Sequence, residues 1–347
     1  MIPPLPPTIT WLGAHDGHLE LLDQTLLPHE RRVLVVRRVD EVIEAIQGLR
    51  VRGAPAIGVA AAYGLVLGVR EQVPLPSAFL ETVRAVATAL VRARPTAVNL
   101  AWAIERCLAA VREVPTLEHL FAAAQQLHRD EEQMSRRLGE HGRLLVQPGS
   151  TVLTHCNTGR LAAMGDGTAL AVLFAAARAG VPFRVLADET RPLLQGARLT
   201  ALELAAAGIP VQLLVDGAGP GLIARGEVQL VLVGADRIAR NGDFANKVGT
   251  YPLALACAAH GVPFYCVAPS STFDLQLADG SGIPIEERDA TEVTHLAGQR
   301  IAPTGVGARN PAFDLTPGRL VRGFVSDRGV LQPPFDAGIK AVGAGGR

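Results

Sequence analysis

A thiol, a carboxylate and several groups suited to an anion stand out among the 347 residues of this chain. Cys156 lies in Thr154-His-Cys-Asn-Thr-Gly159, straight after the apolar stretch Ser150-Thr-Val-Leu153. It therefore falls just past the end of a buried strand, which is where α/β enzymes keep their chemistry. A thiol there can ionise, exchange a proton or attack carbon, with hydroxyl, amide and imidazole groups beside it. Taken alone, Cys156 also reads as a small buried side chain. Asp236 follows Val231-Leu-Val-Gly-Ala235 and opens the polar loop Arg237-Ile-Ala-Arg-Asn-Gly-Asp243. That loop leads to Asn246-Lys247 at an expected helix start.

Two segments suit a phosphate. Arg52-Gly-Ala-Pro-Ala-Ile-Gly58 joins a guanidinium to a small, backbone-exposing turn and a helix from about Pro55. Its exposed amides and positive helix end favour an anion, although the glycines would equally serve close helix packing. Lys247 at a helix N-terminus would oppose the macrodipole and need a compensating anion, either a bound phosphate or Asp243. Gly165-Asp-Gly167 and Gly217-Ala-Gly-Pro-Gly221 lack the dinucleotide fingerprint and read as turns, and neither a Walker lysine motif nor HExxH is present. The expectation is a site with no cofactor. One thiol, one carboxylate and phosphate-holding groups suit proton movement on a phosphorylated small molecule.

The elements that must position these groups change character along the chain. From Val39 to about Leu145 the pattern is helical, with Asp40 as a candidate cap for Glu41–Leu49 and helical runs over Phe79–Ala93, Ala97–Val111 and Leu117–Leu138. Short strands are expected near Leu19–Leu22 and Arg32–Val36. After Gln147-Pro-Gly149, β-rich runs at Thr151–Thr154, Phe183–Ala187, Val211–Val215, Leu230–Val233 and Phe264–Ala268 alternate with helical stretches near Gly167–Ala179, Ala197–Ala207, Gly219–Arg225 and Asn246–His260. Such alternation predicts a right-handed, mostly parallel, doubly wound sheet. The fold class expected is α/β, a Rossmann-like domain over 131–347 preceded by a smaller, mainly helical domain over 1–130.

Beyond those strand ends sit Cys156, Asp188-Glu-Thr190, Asp216, Asp236 and Ser270-Ser271, along the carboxyl edge where such sheets bind ligands. Asp188 and Asp216 read rather as helix caps or scaffold.

With 48% hydrophobic and 19% charged residues the chain has ample material for a buried core. Thirty-three basic residues balance thirty-three acidic ones without a basic run, so a nucleic-acid or membrane-surface partner has no electrostatic support. The N-terminus has no signal-peptide pattern, and Arg, Gly or Pro interrupts each apolar run before membrane-spanning length, so the expected location is cytoplasmic. Cys107, Cys156, Cys257 and Cys266 show no CxxC spacing and read as reduced thiols. Cys257-Ala-Ala-His260 with Cys266 could in principle hold a metal, but reads first as two buried thiols and a surface histidine, and no metal is expected. The tail from Ala341 reads as frayed.

Taken together, these segments resemble the family that joins the 5-methylthioribose-1-phosphate isomerases to the α, β and δ regulatory subunits of eukaryotic initiation factor 2B. The likeness rests on residues 52–64, Arg94-Pro-Thr-Ala-Val-Asn-Leu100, Thr154–Gly159, Asp188-Glu-Thr-Arg-Pro192, Gln195–Thr200, Val233–Ile238, Asn241-Gly-Asp243 and Asn246–Tyr251. It implies Cys156 and Asp236 as the catalytic pair, with Arg52, Gly53, Ala54, Arg94, Gln195, Asn246 and Lys247 holding the substrate and its phosphate. It also implies a homodimer, and an aldose-ketose isomerisation of a 5-methylthioribose 1-phosphate in methionine salvage. Arg160 and Met164-Gly-Asp166 depart from the smaller or aromatic residues expected after the cysteine loop. An isomerase of ribose 1,5-bisphosphate or 5-deoxyribose 1-phosphate would use the same pair. A non-catalytic, initiation-factor-like subunit would be expected to have lost the thiol and carboxylate motifs, and both are intact here.

Overall fold

The computed structural model describes residues 2–72, 75–94 and 98–343. Its chain divides into two compact units, one holding Pro4–Arg136 with Gly159–Gly167 and the other holding Arg137–Thr158 with Thr168 onward. The division thus falls inside a helix at Arg136 rather than at 130. The nine-residue segment after the cysteine loop belongs to the helical unit, for a physical reason. The Thr8 hydroxyl donates to the Arg160 carbonyl, the Gln24 amide to Leu161, and Ala56 N–H to Ala162. Met164 is buried in the helical unit's core.

That unit opens with an antiparallel sheet of β1 (Ile9–Leu12), β2 (His18–Leu22) and β3 (Val33–Val36), in that order. Helices α1 (Val39–Gln47), α2 (Ala54–Gln72), α3 (Phe79–Ala93), α4 (Val98–Ala110) and α5 (Leu117–Gly142) follow. Asp40 lies within α1 rather than ahead of it. The Glu41 carboxylate reaches back to the amides of Arg37 and Arg38, because a glutamate at the third position can satisfy donors that face no helical carbonyl. Helix α2 is buried from Pro55 to Val69 and forms the unit's spine. It is long and apolar enough by composition to cross a membrane, contrary to the expectation that no run reaches that length, and 78% of its apolar window is buried inside the protein.

The second unit contains β4 (Thr151–Thr154), α6 (Ala169–Arg178), β5 (Arg184–Asp188), a π turn (Gly196–Thr200) leading into α7 (Ala201–Ala206), β6 (Val211–Leu214), α8 (Gly219–Ala224) and β7 (Leu230–Val233). After these come β8 (Arg237–Ala239), β9 (Phe244–Lys247), α9 (Thr250–His260), β10 (Phe264–Val267), β11 (Phe273–Asp274), α10 (Thr291–Thr294), β12 (His295–Leu296) and β13 (Gln299–Arg300). The chain continues through β14 (Phe313–Thr316), β15 (Gly323–Ser326), β16 (Gly329–Leu331) and α11 (Phe335–Gly343). Residues 341–343, expected as frayed tail, are the end of α11; residues 344–347 lie outside the described residues.

The main sheet runs β16-β15-β10-β7-β4-β5-β6, parallel throughout except for the antiparallel edge strand β16. Counted in chain order, its six parallel strands stand 3-2-1-4-5-6. Strand residues alternate between two cores. Leu153, Val231, Val233, Phe264 and Cys266 pack with residues of α8, α9 and α11, whereas Val152, Leu230, Leu232, Tyr265 and Val267 pack with α6. Helices therefore cover both faces, which is why these strands read as unbroken apolar runs. A second sheet, β11-β8-β9-β14, has at its centre the two strands of the segment after Asp236, with β11 and β14 added from later in the chain.

Candidate active site

The strand order reverses between β4 and β7, and Cys156 and Asp236 each follow one of those two neighbouring strands. Cys156 is buried and has φ +63°, the left-handed region that non-glycine residues avoid at a cost of about 1–3 kcal/mol. Side chains hold it there. Its amide donates to the Thr190 hydroxyl at 2.9 Å, and its carbonyl accepts from the Thr200 hydroxyl at 2.7 Å. Thr190 is itself left-handed at φ +65° and donates onward to the Asp188 carbonyl. Both carboxylate oxygens of Asp216 accept amides, from Thr190 and Arg191, each at 2.7 Å. Next along the loop, the Asn157 amide donates to Thr200 and to the buried Glu203 carboxylate.

Asp236 is held differently. Its amide donates to the Ala245 carbonyl at 2.9 Å, and the residues after it enter the β8–β9 pairing. Beneath it the Cys266 thiol is buried completely, and burial first and the Asp236 charge second push its pKa well above the ordinary value. Cys266 therefore stays a thiol and points at the Gly234 carbonyl, 3.6 Å away. Burial also pushes Cys257 up to about 12. Among the described residues, His155, Asp188 and Asp216 offer ligand atoms within 4.8 Å of one another. Those atoms are already engaged: His155 Nδ1 pairs with Asp188 Oδ2 at 2.9 Å, and Asp216 is taken by amides.

Gln195 lies just ahead of the π turn, a feature that recurs at functional sites. Its side-chain oxygen is buried with no hydrogen-bond partner among the described residues, which suits a ligand hydroxyl. Asn246 and Lys247 end the strand β9 and do not start a helix. The helix begins at Thr250, and the anion at its N-terminus is Asp314, whose carboxylate accepts the amides of Gly249 and Tyr251. Asp243 instead accepts from the amides of Gly280 and Gly318. The Lys247 ammonium donates to the Ala312 carbonyl at 2.9 Å and lies 4.8 Å from the Phe313 ring centre.

The sheet unit thus holds Cys156, Gln195 and Asp236 on segments that follow its strands, and Asn246 and Lys247 at the end of β9. Arg52, Gly53, Ala54 and Arg94 belong to the helical unit. Ala54 opens α2 and Arg94 follows α3; residues 95–97 of its motif lie outside the described residues. Gly53, at φ +90°, packs so closely on Ala162 that a Cβ would stand 2.2 Å from that residue's carbonyl oxygen, so close packing does require this glycine. Arg160 pairs with Asp166 at 3.5 Å. Thr190 and His155 stand near Cys156 as the sequence suggests, but their hydrogen bonds, and that of Thr200, depend on backbone turns between distant segments.

Residues 50–333 match the Initiation factor 2 subunit family. The chain belongs to this family. It is similar to a methylthioribose-1-phosphate isomerase of Pelotomaculum thermopropionicum, with 50% identity over 96% of this chain and 93% of the relative. A 5-deoxyribose 1-phosphate isomerase of Moorella thermoacetica is 49% identical over 99% of each chain. Among solved structures, a 5-methylthioribose 1-phosphate isomerase from Pyrococcus horikoshii superposes with a TM-score of 0.90 at 40% identity, covering 98% of this chain and 96% of that one.

Proposed function

We propose that this family member is an isomerase that converts 5-methylthio-α-D-ribose 1-phosphate to 5-methylthio-D-ribulose 1-phosphate in methionine salvage, without a cofactor. The observation that carries the site assignment is the placement of Cys156 and Asp236 after the two strands that flank the order reversal, where a Rossmann-like sheet binds its ligand. Similarity over nearly the whole length to isomerases of this class supports the reaction.

The phosphate on the anomeric oxygen blocks simple ring opening, so the furanose must open with the phosphate still attached. Asp236 donates a proton to the ring oxygen as its bond to C1 breaks. Hydrogen then moves from C2 to C1 while the C2 hydroxyl passes its proton to the Asp236 carboxylate and becomes the ketone, which returns to Asp236 the proton it gave. Cys156 either shuttles the C2 proton through an enediolate or stabilises a direct hydride shift; a thiol keeps its proton under desolvation better than it keeps a charge. Deuterium at C1 of product formed in deuterated water excludes a purely intramolecular hydride shift. Gln195, Asn246 and Lys247 are proposed substrate contacts, as are Arg52, Gly53, Ala54 and Arg94 on the strength of the family resemblance. We further propose a cytoplasmic homodimer.

The Moorella relative favours a second reading, with 5-deoxyribose 1-phosphate as substrate and the same pair of groups. The two differ only at C5. Purified protein incubated with each sugar phosphate, and with ribose 1,5-bisphosphate, should form ketose fastest from the 5-methylthio compound. Formation from none of them contradicts an isomerase, and preference for another reassigns the substrate.

A further inference from the structure

His155 precedes the thiol, is completely buried, and has a partner on each ring nitrogen. Nε2 faces the Val248 carbonyl at 2.8 Å, and a carbonyl only accepts, so Nε2 carries a proton. Nδ1 faces Asp188 Oδ2 at 2.9 Å, and one further proton is shared between them. The other Asp188 oxygen is buried without a hydrogen-bond partner among the described residues. The pair is neutral overall whichever partner holds the shared proton. Gly249, at φ +108°, lies flat against the ring: a Cβ there would stand 2.6 Å from Cε1.

Three segments meet on this imidazole. One is the thiol loop itself; another is the end of β5, which leads to Thr190 and its hydrogen bond to Cys156. The third is the Val248–Gly249 turn directly after Asn246-Lys247. We propose that His155 is the positioning residue of the site, fixing the thiol loop against Asp188 through Nδ1 and fixing the Asn246-Lys247 segment through Nε2. The inference rests on the isomerase reading above. It gives one ring two separable tasks: the Asp188 side sets the reacting group, and the Val248 side sets the substrate contacts.

Two substitutions divide those tasks. In H155N an amide can reach the Nδ1 position but not Val248, and in H155Q it can reach the Nε2 position but not Asp188. With 5-methylthioribose 1-phosphate and folded full-length chains, H155Q should lower kcat about 10²-fold with KM little changed, the scale of an ångström-sized misplacement. H155N should mainly raise KM. Gly249→Ala, which presses on the ring without altering its chemistry, should do both.

Folded H155Q and H155N that keep wild-type constants, or that lose kcat and KM alike without separating, overturn the proposal. Failure of all three variants to fold makes His155 a core residue and also overturns it. Wild-type turnover in the same assay tests the reaction itself. If the wild type is inactive, the reaction fails, and the brace is read from alkylation of Cys156 by iodoacetamide. Its rate in H155Q then moves about tenfold, or stays unchanged and overturns the assignment.

Discussion

The ends of β4 and β7 hold the two proposed catalytic groups by opposite means. After β4, Cys156 takes a left-handed backbone that its side chain disfavours, and hydroxyls from Thr190 and Thr200 hold it there. After β7, Asp236 is held by a backbone bond to Ala245 and by the β8–β9 ladder, with no positive φ. Side-chain braces are specific and breakable one atom at a time. A ladder is redundant and tolerates side-chain change. The thiol loop should therefore be the fragile half of the site and the carboxylate loop the robust one.

The contrast can be broken most severely at Asp236, where Asp236→Asn should cut turnover about 10²–10⁴-fold with the melting temperature almost unmoved. A folded variant with near wild-type kcat would remove Asp236 from the chemistry. Thr190→Val keeps the shape but removes the acceptor for the Cys156 amide and the donor to Asp188, and we expect kcat to drop about 10–100-fold. Thr190→Ser should restore most of it. Equal kcat for Val and Ser would show that the hydroxyl does not set the thiol loop.

Asp188 offers a test through pH. Burial raises its folded pKa above the ordinary 3.8, against the opposing hydrogen bond from His155. The folded state thus holds an extra proton, so the stability from this group is greatest below 3.8 and is lost as pH rises through the raised folded value. Asp188→Asn should flatten that slope in urea titrations at a series of pH values, and an unchanged slope would mean Asp188 ionises normally. The smallest effect should come from the ladder side. Ile238→Val, at a fully buried position of β8, should cost about 1 kcal/mol of stability and leave kcat unchanged.

The same contrast explains what could be read from sequence. Buried parallel strands are apolar runs, so β4, β7 and β10 were legible to within a residue, and with them the positions of Cys156 and Asp236. The β8–β9 hairpin was not, because its strands are short and Asn246-Lys247 resembles a helix start once the pairing of Asn246 with Asp314 is out of sight. Strands β14 and β15 leave no such signal either; β14 pairs with β9, roughly seventy residues earlier, and such partners leave no local period. The transfer of Gly159–Gly167 to the helical unit depends on Gly53 meeting Ala162, a contact between residues more than a hundred positions apart. Positive φ at Cys156 and Thr190 has no composition signal at all, since neither is glycine or asparagine.

The most direct measurement is ketose formation from 5-methylthioribose 1-phosphate by folded Cys156→Ser beside the wild type. The hydroxyl keeps the branching and approximate shape of the thiol but not its acidity or nucleophilicity. The expected result is an active wild type and a variant slower by about 10²-fold or more. A variant that turns over at the wild-type rate would contradict the central claim, leaving Cys156 a strained but passive residue at the sheet's reversal point.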